Sequence, residues 1–166
     1  LSAGGNITVD TIVDKTTSTS YSESGGFLSS SSTRTTTGTE TNIGSNLNTG
    51  GNLKIKSGGD TTIAGSNANV GGNLDAETGG SLNVIARQDK AFTQTESTTS
   101  GLGVGGGLAG TSTTTKDVFD GTNKGSTLNV GGNANIKSAD TVTIQGSDVK
   151  ISGNADIDAT KGIQVL

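Results

Sequence analysis

The sequence predicts an all-β protein: a right-handed parallel β-helix with three strands in each 21-residue coil. Three observations support this prediction. Residues 44–85 align with residues 125–166 without a gap, and 18 of the 42 aligned pairs are identical. Short segments alternate between apolar and polar residues, which is the pattern of a half-buried strand. Equivalent segments return with a 21-residue period, and such a repeat is typical of stacked structural units, with right-handed winding the rule for parallel crossovers.

The composition leaves two interpretations open. The chain has 166 residues, of which 28 are Gly, and it has no Pro, Cys, Met, Trp or His. Apolar residues make up 28%, which is too few for an ordinary globular core of this length. The chain is therefore either a disordered Ser/Thr/Gly polymer or a thin solenoid that needs only small aliphatic side chains. The internal repeat favours the solenoid.

Charge and cysteine content exclude several classes of partner and site. A net charge of −4 argues against electrostatic binding to nucleic acid or to an anionic membrane surface. No run of 18 apolar residues and no signal-peptide pattern occurs. The absence of Cys excludes disulfides and thiolate metal sites. Because patterned sequence extends to both ends, we expect residues 1–166 to form a single β-helix fragment of a longer protein.

The predicted strands follow one another in a fixed rotation. In the first repeat, pairs of inward positions begin at residues 53, 61 and 68 and start again at residues 74 and 82. In the second repeat, strands near residues 134 and 142 recur near 155 and 163, with the same 21-residue period. The inward positions of these strands give the predicted core: Leu53, Ile55, Ile63, Val70, Leu74, Leu82, Val84, Leu128, Ile136, Val142, Ile144, Val149, Ile151, Ile157, Ile163 and Val165.

The corners between strands carry a recurring Gly-Gly-Asn motif. It occurs at residues 4–6, 50–52, 71–73 and 131–133. We expect its glycines to supply the positive φ that a sharp corner demands. The Asn residues at these corners share the 21-residue period of the strands. They therefore either form a hydrogen-bonded ladder along the helix axis or simply serve as good turn formers.

Two Ser/Thr-rich excursions interrupt the coil pattern, at about residues 10–46 and 85–127. Each is either a disordered loop or a projecting β-hairpin; the Thr-rich runs around a central Gly turn favour the hairpin. One hairpin on every second coil gives a spacing of about 10 Å, which is the distance between face-packed sheets. We therefore expect successive hairpins to pack face to face.

All four aromatic residues lie in these excursions, and they are the candidate interaction residues: Tyr21, Phe27, Phe92 and Phe119. Two interpretations remain open for them. They either pack within the hairpins or act as binding anchors for a partner.

No motif in the chain predicts a catalytic, cofactor-binding or metal-binding residue. Gly101, Gly103 and Gly106 fit a dinucleotide-binding pattern, but they lie in a polar stretch with no helix after them, which indicates a hairpin tip. The Gly-Asp segments lack the nine-residue spacing of calcium repeats. Asp75 and Asp156 occupy equivalent outward positions, and three coils would separate them by about 14 Å, too far for a catalytic carboxylate pair.

The run GGNLKIKSGGDTTIAGSNANVGGNL (50–74) resembles the haemagglutinin repeats of filamentous-haemagglutinin-like exoproteins. The Ser/Thr-rich inserts that end in GSNLN and GSTLNV resemble the second repeat class of that family. The resemblance covers essentially the whole chain. It implies a Gram-negative exoprotein, exported through an outer-membrane transporter by two-partner secretion. Members of the family are adhesins or effectors of contact-dependent growth inhibition, in which this region is thought to help carry a toxin across the target's outer membrane.

We therefore expect a non-catalytic repeat module of a secreted cell-surface exoprotein that acts in outer-membrane interaction and toxin translocation. Its expected partners are neighbouring repeats of the same chain, the export transporter and the target-cell outer membrane, with no nucleic acid and no cofactor. The alternatives are a passive adhesin shaft that spaces a distal binding region and, from a different class, a β-helical carbohydrate-active enzyme.

Overall fold

The computed structural model describes residues 1–166, and it is an all-β structure with parallel sheets. Its only helical element is a single 3₁₀ turn at Val104–Gly106, and no helix has the length and apolarity needed to cross a lipid bilayer. In chain order the strands are β1 (Ser2–Ala3), β2 (Ile7–Val9), β3 (Ile12–Gly25), β4 (Ser29–Ile43), β5 (Asn46–Thr49), β6 (Leu53–Ser57), β7 (Thr61–Ala64), β8 (Asn67–Val70), β9 (Leu74–Thr78), β10 (Leu82–Ile85), β11 (Arg87–Leu102), β12 (Ala109–Lys124), β13 (Thr127–Val130), β14 (Ala134–Ser138), β15 (Thr141–Gln145), β16 (Asp148–Ile151), β17 (Ala155–Ala159) and β18 (Gly162–Val165).

The chain divides into two compact units. The first, here called the parallel unit, comprises residues 1–13, 42–88 and 123–166. The second, here called the antiparallel unit, comprises residues 14–41 and 89–122. Each unit is described by itself.

The parallel unit is built from three parallel sheets. Sheet 1 has the order β1-β6-β9-β14-β17, sheet 2 the order β2-β7-β10-β15-β18, and sheet 3 the order β5-β8-β13-β16. From β5 to β10 and again from β13 to β18, consecutive strands enter the three sheets in rotation. Strands that are neighbours in a sheet are therefore distant in the sequence.

The register shows the spacing between stacked strands. Leu53 is paired with Leu74, and Ala134 is paired with Ala155, so both pairs follow the 21-residue period of the sequence. Leu74 is paired with Ala134 across a longer step, which contains residues 89–122 of the antiparallel unit. Like side chains thus stack on like side chains along each sheet.

Alternation along these strands places the aliphatic side chains in one continuous core. In β6 the residues at positions 53, 55 and 57 are buried and those at 54 and 56 are exposed. Ten of the predicted core residues are buried: Leu53, Ile55, Ile63, Val70, Leu74, Leu82, Val84, Leu128, Ile136 and Val142. Four more are half-buried, and all of them except Ile144 pack against this core: Ile144, Val149, Ile151 and Ile157.

Ile163 and Val165 are corrections to the predicted core, since they are 51% and 73% exposed. Both belong to β18, which is the end strand of sheet 2 and has β15 as its single neighbour. The alternating pattern identifies their orientation correctly, but burial requires a further layer on the other side.

The glycines of the Gly-Gly-Asn corners do not have the positive φ that the sequence predicted. They are required for space instead. A Cβ on Gly71 would lie 2.5 Å from the carbonyl oxygen of Gly50, and one on Gly132 would lie 2.2 Å from Oδ1 of Asn73. At these two positions a side chain would meet the corner stacked before it, because neighbouring strands of a sheet are only about 4.8 Å apart.

Of the two alternatives for the corner asparagines, the structure shows a ladder, in which the donor is a backbone N–H rather than a side-chain amide. The backbone N–H of Asn73 donates to Oδ1 of Asn52 at 2.8 Å. Asn133 donates in the same way to Asn73, and Asn154 to Asn133, each at 2.8 Å. Each side chain thus supplies the acceptor for the next corner, which satisfies a backbone donor that belongs to no strand.

A second ladder, made of serines, stacks at the corner that leads into sheet 3. The N–H of Ser45 donates to Oγ of Ser66 at 3.0 Å, that of Ser66 to Ser126 at 3.2 Å, and that of Ser126 to Ser147 at 3.0 Å. Ser66 and Ser126 are each only 1% exposed. This ladder was not predicted from the sequence, although a Gly-Ser dipeptide precedes every strand of sheet 3.

The antiparallel unit is one four-stranded sheet with the order β12-β11-β4-β3. The two inner strands pair antiparallel from Lys90–Glu40 to Gly101–Ser29. The predicted face-to-face packing is therefore wrong: the two Ser/Thr-rich excursions join edge to edge. Edge pairing satisfies the backbone N–H and C=O groups of the inner strands, whereas small polar side chains offer little apolar area to a face-packed arrangement.

Candidate interaction surface

Two of the four candidate aromatic residues pack against each other in the antiparallel unit. The rings of Phe92 on β11 and Phe119 on β12 have centroids 6.5 Å apart and are tilted by 34°. Phe92 is paired across the sheet with Gly38 on β4, where an added Cβ would lie 2.2 Å from the Phe92 ring. The absent side chain makes room for the ring, so Phe92 is a packing residue of this sheet.

The other two candidates remain open to solvent. Tyr21 on β3 is 64% exposed, and its hydroxyl donates to Glu23 at 3.3 Å. Phe27, between β3 and β4, is fully exposed, and Phe119 keeps 80% of its surface exposed. Ring contact links Phe92 to Phe119 and does not extend to Tyr21 or Phe27. The structure therefore separates one packing residue from three exposed aromatic groups.

A charged contact ties three strands of this sheet together. Glu40 on β4 accepts from Lys15 on β3 at 2.6 Å and lies 3.9 Å from Nζ of Lys90 on β11. The hydrogen bond from Lys15 lowers the pKa of the Glu40 carboxyl, and the charges of Lys15 and Lys90 lower it further. This contact therefore links the outer strand β3 to both inner strands of the sheet.

Both outer strands of the antiparallel sheet expose long edges. All 14 residues of β3 are exposed, and in the 16-residue β12 all are exposed except Gly110 and Lys124, which are half-buried. An edge strand presents a row of backbone N–H and C=O groups that can pair with another chain. These two edges and the exposed aromatic groups make up the candidate interaction surface.

The Gly-rich segment is the connection between β11 and β12. Residues Val104–Gly106 form the 3₁₀ turn, and Gly101, Gly103, Gly105 and Gly106 all have positive φ. The next element is strand β12, so the helix that a dinucleotide site needs after its glycines is replaced by a strand.

The outer face of sheet 3 carries a ladder of asparagine side chains beside a shallow groove of about 580 Å³. Nδ2 of Asn69 donates to Oδ1 of Asn48 at 2.8 Å, and Nδ2 of Asn129 donates to Oδ1 of Asn69 at 2.9 Å. The amides hydrogen-bond to one another, which stabilises the stack and occupies groups that a ligand would otherwise use.

The outer face of sheet 1 carries ion pairs between stacked strands. Lys54 lies 3.2 Å from Asp75, and Lys56 lies 3.2 Å from Glu77. Lys137 is paired in register with Glu77 on one side and Asp158 on the other. The charge sign thus alternates from Lys56 to Asp158 along this row, so that no two like charges are directly opposite each other.

The predicted separation of Asp75 and Asp156 is a further correction. The register places one residue, Asn135, between them, so they are two strand spacings apart, or about 10 Å, rather than three. Asn135 donates to Asp75 at 3.5 Å, and Lys54 pairs with the same carboxylate. Asp75 is therefore held in the outer-face network and does not face Asp156 across a cleft.

A group of polar contacts holds together the segments of the parallel unit that adjoin the antiparallel unit in sequence. Nε of Arg87 donates to Asp10 at 2.8 Å, and Nη2 donates to the other carboxylate oxygen. The hydrogen bond from Arg87 lowers the pKa of Asp10 and, reciprocally, raises that of Arg87. The buried Asn42 accepts from Thr11 and donates to the carbonyl of Gln88, both at 2.8 Å.

A family model for the hemagglutinin repeat matches residues 1–102 and 104–166. Neither a search of curated proteins nor a search of solved structures found a match to the chain. The matched residues include every strand of all four sheets. Gly103, in the turn between β11 and β12, is the one residue outside the match. This match covers the stacked parallel strands with their side-chain ladders and the Ser/Thr-rich antiparallel sheet. The chain therefore belongs to the hemagglutinin repeat family.

Proposed function

We propose that this chain is a β-helical interaction module that contacts the outer membrane of a target cell and assists toxin translocation. The family supplies the coarser frame: hemagglutinin repeats are typically non-enzymatic, adhesin-like modules of secreted, cell-surface exoproteins. The further steps to a Gram-negative source, to two-partner secretion through an outer-membrane transporter and to toxin delivery are part of this proposal.

The 21-residue step between paired strands supports a right-handed parallel β-helix with three strands in each coil. We assign the β3/β4 and β11/β12 strand pairs as the two hairpins that the coil carries. Such a scaffold holds its surface groups at fixed intervals, because each coil adds one strand spacing.

The observation that carries the interaction role is the exposed surface of the antiparallel unit. Tyr21, Phe27 and Phe119 present aromatic surface next to two unpaired strand edges. Tyr is enriched where one end of a group meets an apolar phase and the other meets water, as at membrane interfaces and protein interfaces. Each exposed aromatic ring can bury a large apolar area on contact with a partner, and this supports a role in interaction for a sheet that is otherwise rich in Ser and Thr.

The test is binding of the purified chain to outer-membrane vesicles from recipient bacteria, measured by co-sedimentation. We expect the wild-type chain to sediment with these vesicles, and the double substitution Tyr21→Ser and Phe27→Ser to weaken binding several-fold. The matched control is Val165→Ser with Leu166→Ser, which removes two exposed apolar groups from the parallel unit and leaves binding unchanged.

A passive adhesin shaft is the second candidate, and the ladders favour it. Asparagine, serine and ion-pair ladders stabilise stacking along the sheets without needing a partner. Absence of binding to recipient vesicles, with the chain folded by circular dichroism, would contradict the interaction proposal and support the shaft.

A further inference from the structure

The two open edges of the antiparallel sheet are complementary to each other. We propose that β12 of one molecule pairs with β3 of a second copy of this chain, extending the sheet head to tail. The interface that this contact would repeat is already present inside the molecule, where β11 pairs antiparallel with β4.

Because the sequence repeats, each of the two edge strands has a counterpart among the two strands that pair at the centre of the sheet. Asp14–Lys15 in β3 corresponds to Asp89–Lys90 in β11, and residues 44–47 after β4 correspond to residues 125–128 after β12. Each correspondence fixes an offset along the sequence. By these two offsets β3 is the counterpart of β11, and β12 is the counterpart of β4. The sheet therefore begins and ends with the two strand types that pair at its centre.

The hydrogen bonds within the two strand pairs support this equivalence independently. The hydroxyls of Thr19 and Thr36 are 3.3 Å apart in the first pair. The β3-to-β11 offset takes Thr19 to Gln94, and the β4-to-β12 offset takes Thr36 to Asp117. Gln94 should therefore lie opposite Asp117 in the second pair. The contacts Thr98–Thr113 and Ser100–Thr111 define that same antiparallel register. The two strand pairs are thus structurally as well as sequentially equivalent.

If β3 of one copy pairs with β12 of another in the register of β11 with β4, the facing residues can be named. Glu96 faces Arg34 in the β11–β4 interface, so Tyr21 of the second copy would face Thr115 of the first. In this register, Glu23 meets Thr113, Lys15 meets Gly121, and no two like charges are directly opposite. Thr-rich edges are good strand formers and suit this kind of β-strand addition.

The central part of the β3 edge lacks the features that normally prevent such pairing, and the charged residues Lys116, Asp117 and Asp120 of β12 would each face an uncharged residue of β3 in this register. Natural edge strands are blunted by proline, bulges, inward charges or a covering segment. The chain contains no Pro, and the central stretch of β3, from Thr16 to Ser22, carries no charge. Because the two edges differ, the contact is heterologous, and it builds open arrays rather than closed dimers.

Sedimentation velocity of the full chain over a range of concentrations tests for association. We expect the weight-average sedimentation coefficient to rise continuously with concentration, as in an open array. A single monomeric boundary at every concentration would overturn the proposal.

Cysteine cross-linking tests which edges meet, since the chain has no cysteine of its own. Thr115→Cys and Tyr21→Cys, made as separate variants and mixed under mild oxidation, should give a disulfide-linked dimer that each variant alone does not give. Thr115→Cys mixed with Ser22→Cys is the matched control, because the neighbouring position points to the opposite face and should cross-link less. Circular dichroism and the sedimentation profile of each variant establish that it folds and associates.

Two results would overturn the head-to-tail contact. Efficient dimers of Thr115→Cys alone would show that β12 pairs with β12. Association that persists in sedimentation without any cross-link in the Thr115→Cys and Tyr21→Cys mixture would place the contact on another surface. Neither result depends on binding to target membranes, so the two proposals fail separately.

Discussion

At the residue scale, the Gly-Gly-Asn corners are determined by space rather than by conformational freedom. At the corners 71–73 and 131–133 the glycines face the backbone or the Asn side chain of the corner stacked before them, and no glycine of the Gly-Gly-Asn corners has positive φ. The sequence correctly places these corners by their motif. It does not show the reason, because the close neighbour of each glycine is about one coil away in the chain.

Gly71→Ala should destabilise the chain by about 1–3 kcal/mol, as expected when a methyl group is forced into occupied space. The new Cβ would lie 2.5 Å from the carbonyl oxygen of Gly50. Gly50→Ala is the matched control, because nothing lies within 4 Å of its Cβ position, and it should change stability by less than about 0.5 kcal/mol. Urea denaturation followed by circular dichroism measures both; equal midpoints would contradict the stacking geometry.

The Asp10–Arg87 pair gives stability a defined pH dependence. The hydrogen bond from Arg87 holds the pKa of Asp10 below its ordinary value of 3.8. Asp10 therefore contributes stability above that value, and the contribution is lost as the pH falls through the lower pKa of the folded chain. Asp10→Asn should cost about 1 kcal/mol at pH 7 and should make stability less sensitive to pH below about 4.

Denaturation midpoints between about pH 7 and pH 2 would show the Asp10→Asn and wild-type curves converging at low pH. Asp148→Asn, which alters an exposed carboxylate on β16, is the control and should leave the curve parallel to that of the wild type. A constant gap between the Asp10→Asn and wild-type curves at every pH would exclude Asp10 as the titrating group.

At the element scale, the residue pattern of the antiparallel sheet predicts its strands but not how they pair. Its strands are recognisable from Thr-rich runs around Gly turns, but their partner is not. A one-residue shift changes little in a strand that is polar on both faces, so the sequence specifies its pairing weakly. Edge pairing, rather than face packing, follows from the need to satisfy backbone groups along strands of 14 to 16 residues.

Phe92→Ala should destabilise the antiparallel sheet by about 1–2 kcal/mol, because Phe92 fills the space above Gly38 and contacts Phe119. Phe27→Ala is the control, since the Phe27 ring is fully exposed and should contribute little. Hydrogen exchange in β4 and β11 provides the measurement. Faster exchange in Phe92→Ala but not in Phe27→Ala is the expected result, and equal rates would show that the ring does not stabilise these strands.

At the scale of the whole molecule, stability is distributed along the stacked strands. Each strand of the parallel unit buries its aliphatic side chains against the strands before and after it, and strands with one neighbour leave theirs more open. Val142 on β15 is 2% exposed, whereas Val165 on the end strand β18 is 73% exposed. Burial in a repeat structure is therefore a property of neighbouring coils rather than of a single sequence segment.

The sequence by itself determined the strands, their 21-residue return and most of the core, because alternation and repetition are local properties that can be read along the chain. It also determined which residues sit at the corners. Only the tertiary structure decided that the Ser/Thr-rich strands join edge to edge, that corner glycines are required for space, and that serines form a second ladder. Those outcomes depend on contacts between residues about 20 to 70 positions apart, and no local pattern specifies which polar groups will meet across that distance.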